Sequence, residues 1–289
     1  MLISDIFKNK KHPIVSFEIF PPKRDEALKN IDKTLEILSS LNPDFISVTF
    51  GAGGSVTNSA TVDIASKIKH DYNIEALVHL TCLTYDRIEI LTMIKNLEEH
   101  GLENILALRG DANPNVQPKN DFKHACELVE FVKANSKLGI SVAGYPECHP
   151  ESPDKVTDTL NLQAKVRAGA DHIITQLFFD NNIFYDFVER TKLAGINVPI
   201  DAGVIPVINK AQIERMVSLC GASIPPKLQR LLNKYGDNKE ALFDAGLTYC
   251  IDQIIDLIAS GVDGIHIYTM NNPIVAQRIC DGIKNLINP

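Results

Sequence analysis

Positive charge is the first thing this sequence has little of: 29 Lys and Arg stand against 36 Asp and Glu, a net charge of -7. That balance leaves no electrostatic footprint for nucleic acid or an anionic membrane. Long apolar runs are also missing. No stretch reaches the ~18 residues of a membrane span, and the opening Met-Leu-Ile-Ser-Asp has neither the cationic start nor the long apolar centre of a secretion signal. The expectation is a cytoplasmic protein with a small soluble partner, without nucleic acid or membrane. Paired cysteines are absent too. Cys82, Cys126, Cys148, Cys220, Cys250 and Cys280 are widely spaced with no C-x-x-C, so neither a disulfide framework nor a zinc ribbon is indicated. "HLTC" and "ECH" each bring a histidine near a cysteine, but His79 and Cys82 face opposite sides of a strand, and Cys148 and His149, being adjacent, diverge. No metal site is expected.

What is present is alternation. With 289 residues and 45% hydrophobic content the chain can bury a large core. Short β-branched runs alternate with segments whose apolar residues recur every three or four positions. The strands read as Ile14 to Phe20, Asp44 to Phe50, Glu75 to Thr81, Asn104 to Arg109, Ile140 to Tyr145, His172 to Phe178, Pro199 to Pro206 and Gly264 to Thr269. Among the helical segments, "DRIEILTMIKNLEEHG" presents Ile88, Leu91, Ile94 and Leu97 as an apolar face and ends at Gly101. Strand-helix units in this number, with no break in composition, predict parallel strands joined by right-handed crossovers and closed into an α/β (β/α)8 TIM barrel, a single domain over residues 1–289. A doubly wound open sheet is the rival topology. The stretch from Lys210 to Gly261 holds extra helices before the last strand, in "PPKLQRLLNKYG" and "KEALFDAGLTYCIDQIIDLIASG".

"TFGAGGSV" mimics a dinucleotide fingerprint, with Asp71 about 20 residues beyond Gly51 where a ribose-binding acid would stand. Val56 occupies the position that needs Gly or Ala, so the segment reads as a flexible βα loop. "FFD" reads as core packing by Phe178 and Phe179 and a helix N-cap at Asp180.

Polar residues fall at matching places in successive units: Glu18, Thr49, His79, Arg109 and Asp111, Tyr145 and Glu147, Gln176 and Tyr268 all stand near strand C-terminal ends. A barrel gathers those ends at one mouth. Glu18, in "SFEIFPP", admits two readings. It is half of a structural ion pair with Arg109 or Lys23, or Phe17, Ile19 and Phe20 desolvate it and favour its protonated form for general-acid work. Taken singly, His79 is an ordinary hydrogen-bonded core histidine, Thr49 a strand residue and Gln176 a loop cap. "LRGD" supplies a cation, close backbone approach and a carboxylate together, which suits a phosphate-bearing cofactor.

With these motifs assembled, the chain resembles the bacterial 5,10-methylenetetrahydrofolate reductase family of flavoprotein barrels. The likeness runs through "SFEIFPPK", "SVTFGAGGS", "HLTC", "ALRGD", "AGYPECHPE", "LNLQAKVRAGAD", "ITQLFFD", "PVIN" and "IHIYTMN". It implies a catalytic barrel without a C-terminal regulatory domain, hence no control by S-adenosylmethionine, and assembly as a homo-oligomer. It implies FAD across the barrel mouth, at Thr49, His79, Arg109, Gly110, Asp111, Ala125, Tyr145, His149, Asp158, Asn161 and Lys165. Asp111 would sit near the flavin pyrimidine and tune its potential. Gln176 and Tyr268 match folate-holding positions, and Gln176 would also serve the nicotinamide.

The reaction implied is reduction of methylenetetrahydrofolate to 5-methyltetrahydrofolate by NADH or NADPH, as ping-pong hydride transfer through the flavin with Glu18 as general acid. Three positions depart from the family pattern. Lys210 stands where a phenylalanine often follows "PV-x-N", Asn272 replaces an arginine after "YT-x-N", and Ala164 replaces a basic residue before Lys165. A barrel lyase would want a Schiff-base lysine or metal cluster at a strand end, and neither is apparent. A non-catalytic folate- or flavin-binding subunit is the other alternative.

Overall fold

A computed structural model describes residues 1–22, 25–50, 57–111 and 117–287. Eight parallel strands close into a barrel in sequence order: β1 (Ile14–Ile19), β2 (Phe45–Val48), β3 (Glu75–Thr81), β4 (Asn104–Leu108), β5 (Gly139–Gly144), β6 (His172–Thr175), β7 (Ile200–Val204) and β8 (Gly264–Tyr268). β8 returns to pair with β1, Tyr268 opposite Glu18. The open-sheet alternative is thereby excluded.

Around the barrel run α2 (Asp25–Ser40), α3 (Thr57–His70), α4 (Arg87–Glu99), α5 (Ala125–Asn135), α6 (Lys155–Ala168), α7 (Asn181–Leu193) and α11 (Pro273–Ile287), with α1 (Ile3–Asn9) ahead of β1. The extra helices before the last strand are α8 (Lys210–Cys220), α9 (Pro226–Tyr235) and α10 (Lys239–Ala259). Local chemistry starts these helices where the sequence implies. Asp86 and Glu89 form a reciprocal capping box on α4, and Asp180 caps α7 by accepting from Asn182 N. On α4 the buried stripe is Ile90, Ile94 and Leu97, while Ile88 is 76% exposed. The expected face was therefore wrong at its first position, because a helix packed on a barrel buries the i, i+4, i+7 row that meets the strands.

Apart from β3, which has the expected bounds, the observed strands end earlier than expected at their C-terminal ends. β6 stops at Thr175, although the apolar run continues to Phe179. The carbonyls of Phe178 and Phe179 are taken by the Gln253 amide and Tyr249 hydroxyl of α10. These two rings pack in the helix layer without extending the ladder.

The pleat divides each strand between two environments. On β1, Val15, Phe17 and Ile19 turn outward into the main core beneath the helices, whereas Ser16 and Glu18 turn inward. Phe17 is fully buried, a burial worth roughly 1.5–3 kcal/mol. At the strand N-terminal end, Ile3, Ile6 and Phe7 of α1 pack with Ile14, Phe45, Leu77 and Leu106 and floor the barrel. Above that floor lies a sealed polar layer. Ser141 Oγ is 2.8 Å from His172 Nδ1, and His172 Nε2 is 3.3 Å from Asp201. The order mimics a hydrolase triad, but all three residues are buried, which closes the group to a substrate.

Candidate active site

The strand C-terminal ends open into one cleft of about 950 Å³, at the upper end of the range for small-molecule sites. Every residue singled out above for catalysis, cofactor or substrate lines it. Glu18 and His79 project from within β1 and β3, and Tyr268 ends β8. Thr49, Arg109, Tyr145 and Gln176 each stand one residue beyond the end of β2, β4, β5 and β6. They were expected inside strands. Backbone bonds to the neighbouring strand still hold three of them there: Thr49 N donates to Ile19 O at 2.9 Å, Gln176 N to Gly144 O at 2.7 Å, and Arg109 O accepts from Leu83 N at 2.9 Å. Asp158, Asn161 and Lys165 share one face of α6.

Two glycines permit the close packing here. Gly110 adopts φ +86, left-handed backbone suited to glycine, with Thr81 Cβ only 3.1 Å from where a side chain would begin. Gly203 on β7 leaves space that a Cβ would fill at 2.1 Å from the Thr175 carbonyl and 2.8 Å from the Tyr268 hydroxyl. That space lets Tyr268 donate to Thr175 O at 2.7 Å, which fixes its ring. Gln176 is also preset, its Oε1 accepting from Leu177 N at 2.9 Å.

Glu18 sits at the base of the cleft with its side chain 20% exposed. Its Oε2 is 3.5 Å from His79 Nε2 and 3.8 Å from His266 Nε2. The apolar flanks that suggested a greasy setting do not surround it. Phe17 and Ile19 face the outer core and Phe20 is 37% exposed, because alternate residues of a strand look opposite ways. What Glu18 meets is a pair of imidazoles. Its expected partner Arg109 is instead gripped by Glu151, with Nη2 to Oε1 at 2.8 Å and Nη1 closing the fork. Lys23, the other partner considered, lies outside the described residues, as does "GAGGSV" of the fingerprint-like loop.

Burial drives the site's titration. It lowers His79 to about 4, against a raising influence from Glu18 and a further lowering by His266, so the ring is neutral at pH 7. Lys165 reaches under the rim, Nζ donating to Ala143 O at 2.6 Å. Burial brings it down to about 8, with Asp158 opposing. Tyr145 is pushed up to about 12 by burial and stays a phenol.

Not every expected group converges. Glu147 turns away to accept from Ser223 N at 2.7 Å. Asn272 caps α11 through Val275 N, and Lys210 opens α8. Ala164 does line the cleft. His79 faces Glu18 while Cys82 packs in the outer core, so the two diverge. Among the described residues no group of three or more His, Cys, Asp or Glu could hold a metal. Sequence reasoning passed over His266, which lies two positions before Tyr268 on the same inward face. That spacing was the available signal.

A closed parallel barrel whose C-terminal mouth holds a deep cleft of acids, imidazoles and cations defines a ligand-binding (β/α)8 protein of the kind that carries enzymatic sites. A family model described as Methylenetetrahydrofolate reductase matches residues 2–284. The chain is 36% identical over 266 residues to 5,10-methylenetetrahydrofolate reductase of Escherichia coli, covering 92% of this chain and 89% of that one. It is 36% identical over 271 residues to methylenetetrahydrofolate reductase (NADH) 1 of Arabidopsis thaliana, covering 89% of this chain and 46% of the plant protein. It thus spans about half the length of the plant relatives. The chain belongs to the methylenetetrahydrofolate reductase family. Among solved structures, an uncharacterized Clostridium thermocellum protein that binds two copies of 5-methyl-5,6,7,8-tetrahydrofolic acid superposes with a TM-score of 0.67 at 17% identity, covering 99% of each chain. At that identity the likeness speaks for the fold alone.

Proposed function

We propose that the chain reduces 5,10-methylenetetrahydrofolate to 5-methyltetrahydrofolate with FAD as cofactor and NADH or NADPH as reductant. The observation that carries this reading is the placement of Glu18, a lone carboxyl at the base of the mouth, against two imidazoles and beside a cleft wide enough for a cofactor and a substrate.

The residues present fit a flavin dinucleotide. Arg109, Lys165 and His149 offer donors for phosphate oxygens, Thr49 and Asn161 offer neutral hydrogen-bonding groups, and Gly110 and Ala125 let the backbone approach. His79 Nε2 is buried and makes no hydrogen bond, a donor or acceptor held in reserve at the cleft wall. FAD, when bound, supplies a centre that accepts hydride from the nicotinamide and returns it to the folate.

The chain's own residues supply positioning and the proton. Gln176 and Tyr268, each already fixed by a backbone hydrogen bond, orient the folate above Glu18. Glu18 delivers a proton to a nitrogen of the five-membered folate ring, and opening of that ring exposes the one-carbon unit to hydride. A positioned acid of this kind is worth ~100- to 10,000-fold in rate. Asp111 is exposed at the rim, where a negative charge disfavours a second one on the cofactor. The same reading carries turnover by alternate occupation of one site, assembly as a homo-oligomer, and a cytoplasmic location. No described helix is long and apolar enough to cross a membrane.

Visible absorption of the purified protein tests the proposal. A flavin spectrum bleached anaerobically by NADH or NADPH and restored by methylenetetrahydrofolate is expected. A flavin-loaded sample that neither nicotinamide bleaches would instead favour a non-catalytic binding subunit.

A further inference from the structure

Beneath Glu18 the barrel interior holds an imidazole with no exposure to solvent. His266, on β8, places Nε2 3.8 Å from Glu18 Oε2 and 3.4 Å from Ser47 Oγ, and Nδ1 2.7 Å from Ser16 Oγ. Phe45 stacks on the ring at 6.0 Å with planes 18° apart, and Tyr268 stands perpendicular to it at 5.4 Å. His79 reaches the same carboxyl oxygen from β3 at 3.5 Å. The groups facing Glu18 from neighbouring strands are therefore His79, His266, Ser47 and Tyr268.

Ser16 decides which nitrogen of His266 carries hydrogen. Its hydroxyl has one hydrogen and two acceptors within range, His266 Nδ1 at 2.7 Å and the Ile265 carbonyl at 3.5 Å. The 2.7 Å contact has the stronger claim on that hydrogen, and the 3.5 Å one, at the outer limit of a hydrogen bond, the weaker. Donation by Ser16 to Nδ1 leaves the neutral ring with its hydrogen on Nε2, the nitrogen that faces Glu18. We infer that His266 is a positioning residue for Glu18: held by Ser16 in the Nε2–H form, it engages Oε2 and leaves Oε1 as the oxygen that carries the acid's transferable proton. The separation of 3.8 Å is long for a hydrogen bond, as contacts at unliganded sites often are before substrate presses the partners together.

This inference rests on the reductase reading, and two kinds of measurement keep them apart. In the protein itself, ¹⁵N chemical shifts of His266, assigned with His266→Phe, should report hydrogen on Nε2. Hydrogen on Nδ1 would overturn the assignment whether or not the protein turns over. The ¹³C carboxyl titration of Glu18, assigned with Glu18→Gln, should move in both His266→Phe and Ser16→Ala. An unmoved titration in both variants would likewise overturn it. In flavin-loaded protein, His266→Phe should slow oxidation by methylenetetrahydrofolate at least tenfold and alter its pH profile, while reduction by the nicotinamide stays within twofold. His266→Gln, which keeps a donor, should recover part of the loss. Equal loss in both half-reactions would mark His266 as merely structural. Failure of the parent protein to be bleached would count against the reductase reading, and the two NMR readouts would still decide the placement of the proton.

Discussion

Asn271 and Phe20 exchange two hydrogen bonds across the β8–β1 seam. The Phe20 amide donates to Asn271 Oδ1 at 3.0 Å, and Asn271 Nδ2 donates to the Phe20 carbonyl at 2.8 Å. Thr269 adds a third tie by donating to the Glu18 carbonyl at 2.6 Å. The exit of β8 thus clamps the exit of β1 at the acid's own carbonyl and again two residues beyond it. Asn271 makes this contact from left-handed backbone at φ 55, a conformation that asparagine tolerates better than most residues.

Removing the clamp should loosen the acid. Asn271→Gly keeps the backbone unstrained and deletes both side-chain bonds, a loss of about 1–3 kcal/mol in urea unfolding. Asn271→Ala should cost about 1 kcal/mol more through its positive φ. Equal stability of parent and Asn271→Gly would show that the seam does not depend on this side chain.

Glu18→Gln retains size and loses the transferable proton. Flavin content and bleaching by nicotinamide should persist, while reoxidation by methylenetetrahydrofolate falls ~100- to 10,000-fold. Stopped-flow absorbance separates the two steps. Parent-like reoxidation would remove Glu18 from its assigned role.

Stability should carry the signature of His79. Burial holds its folded pKa at about 4 against an ordinary 6.5. Between those values the unfolded chain binds a proton that the folded chain refuses, so stability rises with pH through the window and is complete above it. On the order of 3 kcal/mol is involved. Urea titrations of His79→Gln from pH 4 to about 6.5 should give a flatter dependence than the parent, and an equal slope would assign the acid sensitivity elsewhere.

Lys165 titrates at about 8 because of burial. Affinity for an anionic cofactor should therefore weaken as pH rises through that value, and Lys165→Met should bind more weakly below it and lose this dependence. Fluorescence titration of the apoprotein at several pH values reads both. A pH-dependent Lys165→Met would exclude the lysine as the cause.

Arg109 is already occupied by Glu151 in a two-pronged ion pair. Any phosphate arriving at Arg109 competes with that carboxylate. Glu151→Gln should tighten cofactor binding by roughly fivefold or less, since half-exposed pairs contribute about 1 kcal/mol at most. Weaker binding by the variant would mean that the pair organises Arg109 for the cofactor.

Much of this architecture is legible in the sequence because period-two strands and their spacing are local properties. Each expected strand has its counterpart, and the cleft collects the residues that stand near their ends. The setting of Glu18 was misjudged because sequence neighbours on a strand are not spatial neighbours. Phe17 and Ile19 flank Glu18 in the chain yet occupy the opposite face. Its real surroundings, His79 and His266, come from β3 and β8, and which rung of one strand meets which rung of another is set by barrel register. The overrun of β6 has a related origin. Nothing local ends the strand before Phe178, and only the distant Gln253 gives its carbonyl another partner.

Among the described residues, the floor laid by Ile3, Ile6 and Phe7 makes the barrel a cup with a single rim. Whatever is consumed and whatever is produced must cross that one doorway. Under the reaction proposed above, a reductant and an oxidant that share that seat would queue for it, each departure being the condition for the next arrival.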